Sequence, residues 1–89
     1  MSALKKFSPA LKEVRIHLCP HSNTSNPTRQ FIEKYYLDMK RNNPNLPILI
    51  RECAGVKPKM WFRYEYGREV DKDLTNLNVD QIGQLVKEI

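Results

Sequence analysis

The chain has few of the features that mark secreted, membrane-spanning or nucleotide-binding proteins. Its 89 residues include only two cysteines and three glycines, and no apolar run approaches the roughly 20 residues that span a bilayer. Two cysteines are too few for a disulfide-stapled secreted domain, and scattered glycines exclude a glycine-rich phosphate loop. No carboxylate pair is spaced for acid/base chemistry. We therefore expect one small domain that acts as a binding or structural module rather than as an enzyme.

The charge of the chain is basic but evenly mixed. Lys and Arg outnumber Asp and Glu by 15 to 10, which favours an acidic partner, either nucleic acid or an acidic protein surface. Acidic residues are spread through most of the chain, so there is no basic tail of the kind that wraps RNA. Only residues 1–12 lack acids, and we expect them to form a flexible basic arm before a domain at 13–89. This arm has the composition of either a matrix-targeting segment or a short disordered extension.

The first half of the domain carries a strand pattern followed by a helix pattern. Glu13 to Leu18 alternates polar and apolar residues, which predicts a strand with one buried face. Asn26 followed by Pro27 is typical of an N-cap and the first helical position. Apolar residues then recur at helical spacing until Asn42. The sequence therefore predicts a strand and an amphipathic helix.

The second half predicts three strands and a final helix. Pro47 to Cys53 contains a continuous aliphatic run, which predicts a strand more deeply buried than the first. Lys59 to Tyr66 alternates again, and a short strand at Glu69 to Asp71 closes a hairpin. Asn78 and Gln81 have the spacing of a capping box at the start of the last helix.

The predicted order β-α-β-β-β-α is that of an α/β, thioredoxin-like fold with a mixed four-stranded sheet. The helix that usually joins the second and third strands is missing, because Ala54 to Pro58 is too short to hold one. Both helices should then lie mainly on one face and leave the other bare. Strand alternation places on that bare face a set of predicted partner-binding residues: Arg15, His17, Arg51, Trp61 and Arg63. A face that contacts only water is the alternative interpretation.

The two cysteines permit several interpretations. Cys19 begins a Cys-Pro-His-Ser segment where thioredoxins carry their redox motif, but Ser22 replaces the second cysteine. The predicted helix starts well beyond Cys19, so we expect its thiol to titrate like an ordinary one, which weakens a thiol-redox function. Cys19 and Cys53 end neighbouring parallel strands about 4.8 Å apart, so either a disulfide or two reduced thiols fit.

A metal site in this chain would need ligands from its histidines and cysteines. The possible ligands are His17, Cys19, His21 and Cys53, but only His17 and Cys19 share a strand face, so we expect no metal.

Longer segments resemble a known family, the small thioredoxin-like accessory subunits of mitochondrial NADH:ubiquinone oxidoreductase, respiratory complex I. The segments that carry this resemblance are Val14–Cys19, Phe31–Lys34, Asn43–Cys53 and Val56–Trp61.

This resemblance implies a function as well as a fold. It implies a non-catalytic subunit on the matrix side of the mitochondrial inner membrane, in the peripheral arm of complex I. Its partners would be other peripheral-arm subunits, especially the large iron–sulfur subunit, and it would bind no cofactor and no nucleic acid directly. The resemblance also implies a Cys19–Cys53 disulfide able to respond to redox conditions. Wider kinship with mitochondrial ribosomal proteins makes binding to ribosomal RNA the main alternative.

Overall fold

A mixed four-stranded sheet with two helices forms the structure, a computed structural model that describes residues 7–89. The elements follow the predicted order and confirm the thioredoxin-like arrangement. Short 3-10 turns precede the first helix and join the last two strands. The bounds are β1 Leu11–Leu18, α1 Asn26–Asn42, β2 Ile48–Glu52, β3 Lys59–Tyr64, β4 Glu69–Asp73 and α2 Val79–Lys87.

The sheet has the order β2-β1-β3-β4, in which β1 and β2 are parallel and the other pairs are antiparallel. β1 and β3 are therefore the central strands, and β2 lies at an edge. The prediction that β2 is more deeply buried than β1 is wrong. Ile48 is buried, but Ile50 is 39% exposed, because the strand has no neighbour on its outer side.

The core lies between the sheet and the two helices. Alternate residues of the central strands, such as Ile16 and Phe62, are fully buried against Phe31 of α1 and Ile82 of α2. Full burial of such side chains contributes roughly 1.5–3 kcal/mol each. Since α1 and α2 pack against the same set of strand residues and against each other, both helices cover one face of the sheet.

The N-terminal region is more closely packed than its composition indicates. β1 begins at Leu11 rather than Glu13, and Phe7 is only 8% exposed. The backbone N–H of Phe7 donates to Oδ1 of the buried Asn43 at 2.9 Å. The predicted flexible arm thus has residues 7–12 folded onto the domain, while residues 1–6 lie outside the described residues. The domain boundary stays a prediction.

The predicted N-cap is correct for α2 and wrong for α1. At α2 the capping box is confirmed, because the Asn78 side chain accepts from Gln81 N–H at 2.8 Å and the Gln81 side chain accepts from Asn78 N–H at 2.9 Å. At α1 the predicted N-cap is wrong, because Asn26 is already helical and Ser25 takes the cap position. Ser25 makes no side-chain cap bond, since its hydroxyl accepts from Cys19 N–H at 2.9 Å instead.

Candidate docking face

The face of the sheet opposite the helices carries all of the predicted partner-binding residues. Arg15 lies opposite Trp61 on β3, and His17 lies between Arg51 on β2 and Lys59 on β3. Within residues 7–89 no helix covers this surface. We call it the open face, and its residues are Glu13, Arg15, His17, Leu49, Arg51, Lys59, Trp61, Arg63, Glu69, Asp71 and Asp73.

Trp61 stands at the centre of the open face between two cations. The guanidinium carbon of Arg15 lies 5.8 Å from the centre of the indole ring, and Nζ of Lys59 lies 5.6 Å from it. Each cation is held in turn by a carboxylate of β4, Arg15 by Glu69 at 2.7 Å and Lys59 by Asp71 at 3.1 Å. These contacts fix long side chains in place around the ring, so the face loses less conformational entropy when a partner binds.

The charges of the open face are segregated between its two edges. Strand β4 contributes only carboxylates to this face, whereas β2 contributes Arg51. His17 lies between these two edges, on β1. Its pKa is lowered by burial and by the positive charges of Arg15, Arg51 and Lys59. Burial is the larger cause of this shift, and the three cations add a positive potential near the C-terminal ends of β1 and β2. The open face is therefore basic toward β2 and acidic toward β4.

The cysteines are close in the fold but differ in environment. Cys19 is 4% exposed, and its Sγ accepts the backbone N–H of Gly55 at 3.3 Å. Backbone hydrogen bonds, that of Gly55 first, lower the pKa of the Cys19 thiol, so the expectation of an ordinary thiol is wrong. Cys53 is exposed, and both residues are free thiols in the structure. The structure therefore does not support the disulfide, and its formation under oxidising conditions stays a prediction.

Within residues 7–89 no three His, Cys, Asp or Glu side chains are grouped so that they could hold a metal ion. No described helix has the length and apolar composition to cross a membrane. The α1 residue Arg29 donates to the carbonyl oxygens of Cys19 at 2.5 Å and Ser22 at 3.0 Å, so the loop after β1 is tied to the helix.

Comparison with known proteins identifies the family. Residues 28–79 match the mitochondrial ribosomal protein L51 / S25 / CI-B8 domain. The chain belongs to this family. Over most of its length the chain is also similar to proteins called NADH dehydrogenase [ubiquinone] 1 alpha subcomplex subunit 2. The Arabidopsis thaliana protein is 55% identical over 76 residues, which are 85% of this chain and 78% of the relative. The Mus musculus protein is 44% identical over 79 residues, 89% of this chain and 80% of the relative.

A fungal protein is similar over the whole of this chain. The NADH-ubiquinone oxidoreductase 10.5 kDa subunit of Neurospora crassa is 39% identical over 89 residues, 100% of this chain and 95% of the relative. The L51 / S25 / CI-B8 segment itself starts inside α1 and ends at the first residue of α2. It therefore includes Arg51, Trp61 and Arg63 of the open face, whereas Arg15 and His17 on β1 lie before it.

Several open-face residues of this L51 / S25 / CI-B8 chain were missing from the predicted partner-binding set. Lys59 and Glu13 follow the same strand alternation as Trp61 and Arg15, so the sequence pattern also predicts that they lie on this face. The carboxylates of Glu69 and Asp71 required the register between β3 and β4. That register depends on a turn in which Tyr66 has a positive φ of 64°, a conformation that no signal in the sequence indicates.

Proposed function

We propose that this chain is a non-catalytic accessory subunit of mitochondrial respiratory complex I. In this proposal it belongs to the peripheral arm on the matrix side of the inner membrane. It contributes a folded surface for assembly or stability, and it binds another peripheral-arm subunit, above all the large iron–sulfur subunit. The names of its relatives support this proposal, because they are subunits of NADH dehydrogenase or NADH-ubiquinone oxidoreductase and match most of the chain.

One structural observation carries the proposal of a docking role, namely the ordered charge network around Trp61. Trp and Arg are the side chains most enriched at the energetic centres of protein interfaces. Here the Trp61 ring is only half-buried and is flanked by Arg15 and Lys59, each tied to a β4 carboxylate. An aromatic side chain that is rigid but uncovered is suited to be buried by a partner protein.

Binding to ribosomal RNA is the alternative that the family name keeps open. A phosphate backbone is polyanionic and would be repelled by the carboxylates that Glu69, Asp71 and Asp73 add to the open face. A partner protein whose surface has the opposite arrangement of charges can pair with both the basic and the acidic side of the open face. The mixed charge of the face therefore favours a protein partner over RNA.

The experiment is a rescue of mitochondria that lack this chain with tagged variants. Native gels would be stained for NADH dehydrogenase activity and probed for the tag, and mitoribosomes would be separated by sedimentation in parallel. We expect the wild-type chain to migrate with the stained complex. Trp61→Ala and Arg63→Ala should lower the incorporated fraction, while Arg41→Ala is the matched control because Arg41 is exposed on α1, on the other side of the sheet.

Each outcome bears on the proposal. A wild-type chain that sediments with mitoribosomes, and is released steeply by salt, would replace complex I by RNA binding. Trp61→Ala and Arg63→Ala chains that assemble as well as Arg41→Ala would leave the complex I assignment intact but remove the open face as the docking surface. Thermal unfolding of each purified variant shows whether a loss of incorporation reflects binding or folding.

A further inference from the structure

The two edges of the sheet are chemically different. On β4 every residue except Val70 is charged, and charged edge strands resist the addition of another strand. β2 begins with the aliphatic residues Ile48, Leu49 and Ile50, and its last two residues are exposed. The only charges of β2 are Arg51 and Glu52 at its end, so its first three residues lack the protection that charges give to β4.

The hydrogen bonds of β1 show which backbone groups of β2 face outward. Val14 N–H donates to the Pro47 carbonyl at 3.0 Å, and Cys53 N–H donates to the Leu18 carbonyl at 3.1 Å. In a parallel ladder with this register, alternate residues of β2 bond to β1 and the others face away. The outward set is Ile48, Ile50 and Glu52, of which Ile48 is buried while Ile50 and Glu52 are exposed.

These outward groups have no partner in the described part of the chain. The backbone N–H and C=O groups of Ile50 and Glu52 take part in no described hydrogen bond. Unpaired backbone groups along an edge are a template for another extended segment. The side chains on either side of this edge are Ile50 toward the helices and Arg51 toward the open face, and no described carboxylate forms an ion pair with Arg51.

We propose that the β2 edge binds an extended segment of a partner protein, which adds to the sheet as a further strand. The backbone of Ile50 and Glu52 supplies the hydrogen bonds. The side chains of the edge also determine which segment binds. The partner segment places an aliphatic side chain beside Ile50 and an acidic side chain beside Arg51. Burial and the positive charges of Arg15, Arg51 and Lys59 lower the pKa of His17, and these charges favour an acidic side chain at this position. Only the identity of the partner rests on the function proposed above.

The test uses variants that block strand addition but preserve the bonds to β1. Ile50→Pro removes one outward N–H, a position where edge strands accept proline. Ile50→Lys places a lysine on the edge, a residue that natural edge strands use against pairing. In rescued mitochondria we expect each variant to lower incorporation by at least about tenfold. Leu37→Lys is the matched control, because Leu37 is 69% exposed on α1 and is not part of the edge.

A second measurement tests directly whether the backbone N–H groups of the β2 edge are hydrogen-bonded in the complex. Amide hydrogen exchange of Ile50 and Glu52 should be fast in the free chain and slow in the native complex with which the chain purifies. Equal exchange in both states, or normal incorporation of a folded Ile50→Lys chain, would overturn strand addition while leaving the complex I proposal standing. If the wild-type chain does not migrate with NADH dehydrogenase, the proposed function fails. The exchange measurement still tests whether a partner strand adds to β2.

Discussion

Adjacent residues of β3 should differ sharply in their effect on stability when each is replaced by alanine. Phe62 is fully buried between the sheet and the helices, whereas Trp61 projects from the open face. Phe62→Ala should lower the free energy of unfolding by about 3–5 kcal/mol, since a large cavity remains. Trp61→Ala removes contacts with Arg15 and Lys59 that contribute about 0.5–1 kcal/mol each at an exposed site, so its cost should be about 1–2 kcal/mol.

The assays are equilibrium unfolding in urea, which gives the free energies, and thermal unfolding, both monitored by far-UV circular dichroism. Fluorescence is unsuitable because Trp61 is the single tryptophan. A domain of this size has a total stability of about 5–15 kcal/mol, and each kcal/mol shifts the midpoint of thermal unfolding by about 4–8 °C. The Phe62 variant should therefore be largely unfolded at temperatures where the Trp61 variant stays folded. A Trp61→Ala cost equal to or above that of Phe62→Ala would refute the assignment of the two faces.

Three further predictions follow from single sites. Asn78→Ala should destabilise the chain by about 1 kcal/mol through loss of the α2 capping box, measured by urea unfolding with exposed Gln84→Ala as the control. An NMR titration should find the pKa of His17 below its ordinary value, and Arg51→Ala should raise it. Because the folded-state pKa is lowered, stability should fall as the pH drops below the pKa of an unfolded histidine, and His17→Gln should abolish this dependence. In a Cys53→Ser chain, the pH midpoint for alkylation of Cys19 should lie below that of an ordinary thiol and return to it in urea.

The order of elements and the two faces of the sheet could be predicted because they depend on local patterns. Alternation in β1 and β3 identifies which residues share a face, and the α2 capping box is a contact between residues that are close in sequence. The sequence alone therefore places Arg15, Trp61 and Arg63 on the open face, as the structure confirms. Their role in binding stays a prediction, because a face is defined by geometry but a partner is not.

The features that could not be predicted depend on distant parts of the chain. The aliphatic run of β2 is typical of a buried strand, yet the sheet order leaves β2 at an edge, and no local pattern encodes that order. The lowered pKa of Cys19 comes first from the N–H of Gly55, a residue 36 positions away. The missing side-chain cap of α1 has a similar cause, since the Ser25 hydroxyl bonds to Cys19 rather than to its own helix.

The open face and the β2 edge meet at Arg51, so a single partner can contact both. A strand added beside β2 continues the sheet, and the open face then extends onto the partner without a break. Once one contact has formed, the other becomes an intramolecular step with a high effective concentration. Two modest contacts of this kind bind more tightly than either alone without a large apolar patch, which agrees with a face whose central ring is surrounded by paired charges.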